Sequence, residues 1–476
     1  MRRADAAPPG GALAADAPAA VLGFLFDPNR CTGCAACSLA CSTENELGWG
    51  TSWRHVVSFN PERRPGVPSF HLSLACNHCQ DAPCVTQCPT RAIRRDPATG
   101  AVLVREDACI GCRYCAWVCP YDAPRFDHDR GVMTKCTLCH HRLVEGREPA
   151  CVEACPTAAL GYGGQTGLLR LPGFPEEPFR PRIRFAPLRR ATPPESTWSL
   201  PPQASAAFAP PGPGAEAPTP GRLRPVTLTF RGEWPLWLFT SGVAALVAWV
   251  MAALAGGVPA SLPAFLGAAA ALLGVSTLHL GRPARAWRAL ANLPGSRLSR
   301  EIAAVSAFLG AAALWLAWGG GGYVLLPGAP GPALLGALGS VAALLGALAL
   351  WQMDRVYDPV RPWPGRLLHS GDTLLVAPLL ATALLRLTGP YVVVALLTAG
   401  ALARRLPPSD RAQAGAAGVR LASLALAPLV WSASGAGWGA ALVAVGALAD
   451  RADLYRSAAI TRPSTLALEE AAGGGR

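Results

Sequence analysis

The chain has 476 residues, 51% hydrophobic and only 15% charged, whereas soluble domains carry about 25% charged residues, so a wholly soluble protein is excluded. The net charge of +12 comes from 41 arginines and a single lysine, Lys135, against 30 acids; no basic run is interleaved with aromatics, which excludes a nucleic-acid partner. All 16 cysteines fall between Cys31 and Cys155, and the next 321 residues have none.

Residues 1–22 are rich in Ala and Pro and read as a disordered arm. Arg2 and Arg3 are followed by no long apolar run, so no exported signal peptide is expected. Without export, thiols meet a reducing compartment and a disulfide framework is disfavoured. Residues 23–167 form the cysteine-rich region, where apolar strands such as VLGFLF and AVLV alternate with Cys-rich loops and brief helical stretches such as TRAI. Residues 168–231 read as an extended linker, because the segment Pro172 to Pro225 holds 15 prolines in 54 residues.

Residues 232–458 are expected to be an all-α polytopic membrane bundle of about eight helices, followed by a flexible tail at 459–476. Spans are expected near 235–256, 260–280, 301–319, 333–352, 369–388, 389–403, 412–432 and 436–450. About 20 apolar residues are needed to cross a bilayer, so the sixth and eighth are short and seven is the alternative count. With eight spans, the loops at 281–300, 353–368 and 404–411 share a side with both termini and hold five, three and three arginines. The positive-inside rule then puts the cysteine domain on the cytoplasmic face of the inner membrane.

The cysteines form four quartets: Cys31, Cys34, Cys37 and Cys41; Cys76, Cys79, Cys84 and Cys88; Cys109, Cys112, Cys115 and Cys119; Cys136, Cys139, Cys151 and Cys155. A tight C-x2-C-x2-C loop places three thiolates on one face of a cubane, and the last Cys before Pro serves another cluster. Sixteen ligands then account for four [4Fe-4S] clusters in an α+β ferredoxin-like domain. Zinc knuckles and a c-type haem at Cys136, Cys139 and His140 are the weaker alternatives, since the repeat is that of cubanes.

The stretches GFLFDPNRCTGCAACSLAC, CNHCQDAPCVTQCPTRAI, EDACIGCRYCAWVCPYDAPRFD and MTKCTLCHHRL with PACVEACPTAAL closely resemble the iron–sulfur subunit of the DMSO reductase family of molybdoenzymes. The resemblance implies that the first quartet pairs with the fourth and the second with the third. Cys31, Cys34, Cys37 and Cys155 then hold one cluster, and Cys136, Cys139, Cys151 and Cys41 its mate. Cys76, Cys79, Cys84 and Cys119 hold a third, and Cys109, Cys112, Cys115 and Cys88 the fourth. Some relatives carry Trp in the third quartet and a three-iron cluster; the full quartet here, Cys115 included, implies a cubane.

Downstream, GEWPLWLFTSG and STLHLGRPARAWRALANLPGSRLSREI resemble the DMSO reductase membrane anchor, usually a separate chain. The resemblance implies a quinol site around His279 and Glu301, with Arg282 a weaker candidate. Oxidising a quinol requires proton acceptors, which a histidine and a carboxylate can be. The membrane half holds only His279 and His369, too few for two bis-His haems, so no haem is expected. The implied function is to oxidise menaquinol and pass electrons to a separate molybdopterin catalytic subunit. The alternatives are reversed flow, from a dehydrogenase partner to quinone, and a sensor or transporter with structural clusters.

Overall fold

The computed structural model describes residues 22–48, 51–59, 70–164, 179–186, 226–227, 230–256, 258–322, 324–328, 330–357, 371–385 and 387–403, with short stretches at 419–420, 422–428, 440–448 and 459–460. The arm at 1–21, His369 and the loop at 404–411 lie outside them.

The N-terminal half is built from short hairpins around the cysteine loops. Strand β1 (Leu22–Phe26) is the central strand of a three-stranded sheet, antiparallel to β8 (Leu160–Gly164) and parallel to β9 (Ile183–Phe185). Its alternation points Phe24 and Phe26 into the core, where Phe26 meets Phe185 edge-on at 6.4 Å. Three antiparallel hairpins, β2–β3 (His55–Phe59 and Phe70–Leu74), β4–β5 (Ile93–Arg95 and Val102–Val104) and β6–β7 (Arg125–Asp127 and Val132–Thr134), space the loops. Between them lie one- to two-turn helices: α1 (Ala36–Glu44), α2 (Pro83–Thr86), α3 (Tyr114–Trp117), α4 (His140–Val144) and α5 (Ala150–Glu153).

Two expectations are corrected. TRAI is not helical: Arg91 takes φ 53°, which no right-handed helix accepts, and Ile93 starts β4. The region 168–231 is not linker throughout. Ile183 and Phe185 are 2% and 1% exposed, and Arg182 N–H bonds the Asn77 carbonyl at 2.9 Å. The alternation Arg182, Ile183, Arg184, Phe185 is a strand pattern that the surrounding prolines obscure.

The C-terminal half opens with the two-residue strand β10 (Val226–Thr227), paired with β11 (Ala459–Ile460) at the start of the expected tail. Helices α6 (Phe230–Leu254), α7 (Leu262–Thr277), α8 (Arg297–Ala317), α9 (Pro332–Val356), α10 (Gly371–Leu384) and α11 (Thr388–Ala403) follow, with a 3-10 segment (Pro283–Leu290) between α7 and α8. They coincide with the first six expected spans. Three are long and apolar enough to cross a membrane: Trp234–Leu254, Arg297–Ala317 and Pro332–Val356. The expected spans near 412–432 and 436–450 fall mostly outside the described residues, with helix at 422–428 and 440–448. Small residues bring the helices together: a Cβ on Gly346 would press on Val247 and Phe308. Leu344, Leu396, Val393 and Leu334 are exposed on the outside, as a lipid-facing surface requires.

The two halves pack directly. Val356 and Tyr357, at the end of α9, belong to the core of the cysteine domain. Tyr114 Oη donates to the Val356 carbonyl at 3.2 Å.

Candidate functional site

The four quartets share one local conformation. The residue before the second cysteine is left-handed in every case: Gly33 at φ 74°, His78 at 45°, Gly111 at 68° and Leu138 at 62°. The fourth residue of each Cys-Pro turn, Arg91, Asp122 and Ala158, is left-handed as well. Such alternation turns successive backbone N–H groups toward one concavity, a cradle for negative charge. Two of them reach sulfur: Gly111 N–H to Cys109 Sγ and Leu138 N–H to Cys136 Sγ, both at 3.4 Å.

The fold brings the thiols together in groups. Cys31 has Cys37, Cys155 and Cys34 as electrostatic neighbours. Cys41 has Cys151 and Cys139, Cys79 has Cys76, Cys119 and Cys84, and Cys115 has Cys112, Cys88 and Cys109. All sixteen are free of disulfides. Burial pushes Cys41, Cys112 and Cys119 up to about 12, so these sulfurs become thiolates only against a bound cation. Burial also works to raise Cys155, but hydrogen bonds from Leu160, Thr157 and Ala159 bring it below its ordinary value.

The residues fit iron–sulfur clusters. A cavity is walled by Cys88, Cys109, Cys112 and Cys115 together with Pro89, Ile93 and Met133; its four thiols are one complete group, with apolar side chains filling the gaps. Among the described residues no cluster of His, Cys, Asp or Glu converges closely enough to hold a single metal ion, whereas a cubane needs its four thiolates spread around a larger body.

The groups follow one another in a line. Cys37 and Cys41 share α1, joining the Cys31 group to the Cys41 group. Cys136 neighbours Cys76, which leads to the third group. Cys84 neighbours Cys88 and Cys115, which leads to the fourth. The first end is open, with Cys34 exposed and Cys31 and Cys155 half-buried.

The other end meets the membrane domain. Asn292 Nδ2 donates to the carbonyls of Thr86 and Cys88, both at 2.9 Å, and Arg297 N–H bonds Gln87 Oε1 at 3.1 Å. Arg282 N–H bonds the Ile110 carbonyl at 3.1 Å. Gly111, Gly131 and Gly281 bring three backbones together, and a Cβ on Gly111 would fall 2.9 Å from Gly281 Cα.

Of the anticipated quinol residues, His279 follows the C-terminus of α7. Arg113, next to Cys112, is its electrostatic neighbour. Its Nδ1 is buried with no well-formed hydrogen bond among the described residues, the Ser276 backbone being close by. Glu301, 7% exposed, lies in the second turn of α8. Arg282 directs Nε to the Arg130 carbonyl at 3.0 Å. Arg285 and Arg288 donate to the carbonyls of Glu106 and Asp107. Three of the five arginines credited to topology in the 281–300 loop thus bind the cysteine domain. Sequence reasoning missed Asn292 and Arg113, which carry no motif; only their proximity in the fold reveals them.

Residues 67–165 match the 4Fe-4S dicluster domain family, and residues 241–400 match the DMSO reductase anchor subunit (DmsC) family. A component of the anaerobic dimethyl sulfoxide reductase of Haemophilus influenzae is 38% identical over 188 residues, 36% of this protein and 90% of the relative. This protein belongs to the DMSO reductase iron–sulfur subunit family. It is a fusion of that subunit with the DMSO reductase membrane anchor. A component of a probable anaerobic dimethyl sulfoxide reductase of Escherichia coli is 43% identical over 30% of this protein and 72% of the relative. A sulfite dehydrogenase subunit of Allochromatium vinosum is 39% identical over 30% of this protein and 68% of the relative.

Proposed function

We propose that this DMSO reductase family fusion oxidises menaquinol in its anchor and delivers the electrons to a separate molybdopterin catalytic subunit. Bound at the four thiol groups, [4Fe-4S] clusters would supply one-electron relays between the two. The observation that carries the reading is the docking of the loop that follows His279 on the Cys88, Cys109, Cys112 and Cys115 group, where Arg282 N–H bonds the Ile110 carbonyl and Asn292 Nδ2 the Cys88 carbonyl. A quinol between His279 and Glu301 loses two protons and two electrons. His279 accepts one proton and the Glu301 carboxylate the other, while Arg282, occupied by the Arg130 carbonyl, positions the loop. Asn292 holds the fourth group against this corner. The exposed Cys34 end faces the catalytic subunit. The protein lies in the cytoplasmic membrane with its cysteine domain inside, a reading supported by the arginines of the 353–368 and 404–411 loops.

The test is anaerobic rapid mixing of the oxidised, cluster-loaded protein with a menaquinol analogue, followed by loss of visible absorbance. Menaquinol reduces the clusters on this reading. His279→Ala and Glu301→Gln slow that reduction by about 100-fold or more while dithionite reduces all three proteins alike. The second reading, reversed flow, is favoured by the likeness to the sulfite dehydrogenase subunit. It predicts no reduction by menaquinol and rapid reoxidation of the reduced protein by menaquinone.

A further inference from the structure

Arg54 lies on the turn ahead of β2 and is 1% exposed. It sits where the Cys31 group meets the Cys41 group, with the sulfurs of Cys151, Cys136, Cys37 and Cys41 as its electrostatic neighbours. Nη1 donates to Ser73 Oγ at 3.0 Å, and that hydroxyl is 3.3 Å from Cys37 Sγ. The guanidinium carbon lies 4.4 Å over the Phe24 ring. Nε and Nη2 have no hydrogen-bond partner among the described residues, and none of the ion pairs there includes Arg54.

A guanidinium taken out of water needs a counter-charge, or the desolvation penalty stands alone. The neighbours able to supply one are the cysteine sulfurs of two groups. A purely structural arginine would direct its remaining N–H groups to carbonyls, as Arg95 does toward Gly100 and Gln80. Those of Arg54 have no such carbonyl among the described residues, and the cysteine sulfurs are its electrostatic neighbours.

We infer that Arg54 raises the reduction potential of the two clusters held by the Cys31 and Cys41 groups, and so draws electrons toward the exposed end of the relay. The inference rests on the proposal that the thiol groups hold cubanes. A four-thiolate cubane gains one negative charge with each electron and takes up no proton in this scheme. A fixed cation beside it therefore stabilises the reduced form more than the oxidised one, and charge and hydrogen bonding at the sulfurs are what set such potentials.

The experiment is an EPR-monitored redox titration of the full-length protein, extracted anaerobically from membranes, as wild type, Arg54→Met and Arg54→Lys. Arg54→Met is expected to lower two of the four midpoints by a factor of about ten in the reduction equilibrium, about 59 mV for one electron, and leave the other two in place. Arg54→Lys retains most of the wild-type value. Unchanged midpoints in an iron-replete Arg54→Met, or an equal shift of all four, overturn the inference. Should Arg54→Met fail to hold iron, Arg54→Gln is titrated instead: it removes the charge and keeps an amide donor toward Ser73 Oγ. A lowered pair of midpoints supports the inference and unchanged ones overturn it. A wild-type protein without iron defeats the cubane proposal itself, whereas an iron-replete wild type with an unshifted Arg54→Met defeats only the role given to Arg54.

Discussion

Asn292 joins the membrane domain to the second quartet with a single amide. It is buried, and its Nδ2 serves the Thr86 and Cys88 carbonyls. Asn292→Ala leaves both acceptors unsatisfied, an expected loss of about 1–3 kcal/mol in denaturant unfolding, with a changed EPR line shape for the cluster at Cys88. Glu44 shows the same economy at the other end of the domain. Its carboxyl is held below the ordinary glutamate value first by the hydrogen bond from His141, against the opposing effect of burial, and then by Arg142; the contacts are 2.8 and 2.9 Å. A depressed folded-state pKa contributes stability that is complete above the unfolded value of about 4.3 and is lost as pH falls through the folded one. The melting temperature of wild type is thus expected to exceed that of Glu44→Gln at pH 7, and the difference to shrink as pH falls below about 4.3 and to vanish once the folded carboxyl is protonated. A difference that persists in acid contradicts the assignment.

At the scale of elements, strand β9 and the cysteine loops were legible to different degrees. The loops were readable because their chemistry imposes spacing, and spacing survives in the sequence: the first C-x2-C gap of each quartet comes with a left-handed residue ahead of its second cysteine, whether Gly33 and Gly111 or the less permissive His78 and Leu138. Strand β9 was obscured, since its three residues lie among prolines and their partner, β1, is about 160 residues earlier. Phe185→Ala is expected to destabilise the cysteine domain by about 3–5 kcal/mol, seen as a lowered denaturant midpoint. A linker residue would give no change. The helices of the anchor were legible from composition, but the docking of the Pro283–Leu290 segment was not. Its two arginines, and Arg282 just ahead of it, read equally well as topology signals, and only the carbonyls of Glu106, Asp107 and Arg130 show what they bind.

Across the whole molecule, the fusion gives the iron–sulfur domain and its anchor a fixed relation. The backbones of Gly111, Gly131 and Gly281 meet so closely that no side chain fits between them. Tyr114 and Trp117 of α3 reach the end of α9, where the Trp117 and Tyr357 rings lie 5.7 Å apart. The line of thiol groups therefore runs from the His279 corner to the exposed Cys34. None of this order was readable from the sequence, because the pairing of quartets does not say which group lies next to the membrane. The most direct test is a count of iron and zinc on the anaerobically purified protein, with EPR spectra before and after a menaquinol analogue is added. Electron delivery from quinol through four cubanes predicts about sixteen irons per molecule, little zinc, and cubane signals that grow on quinol addition. Zinc in place of iron, or replete clusters that no quinol reduces, contradicts it.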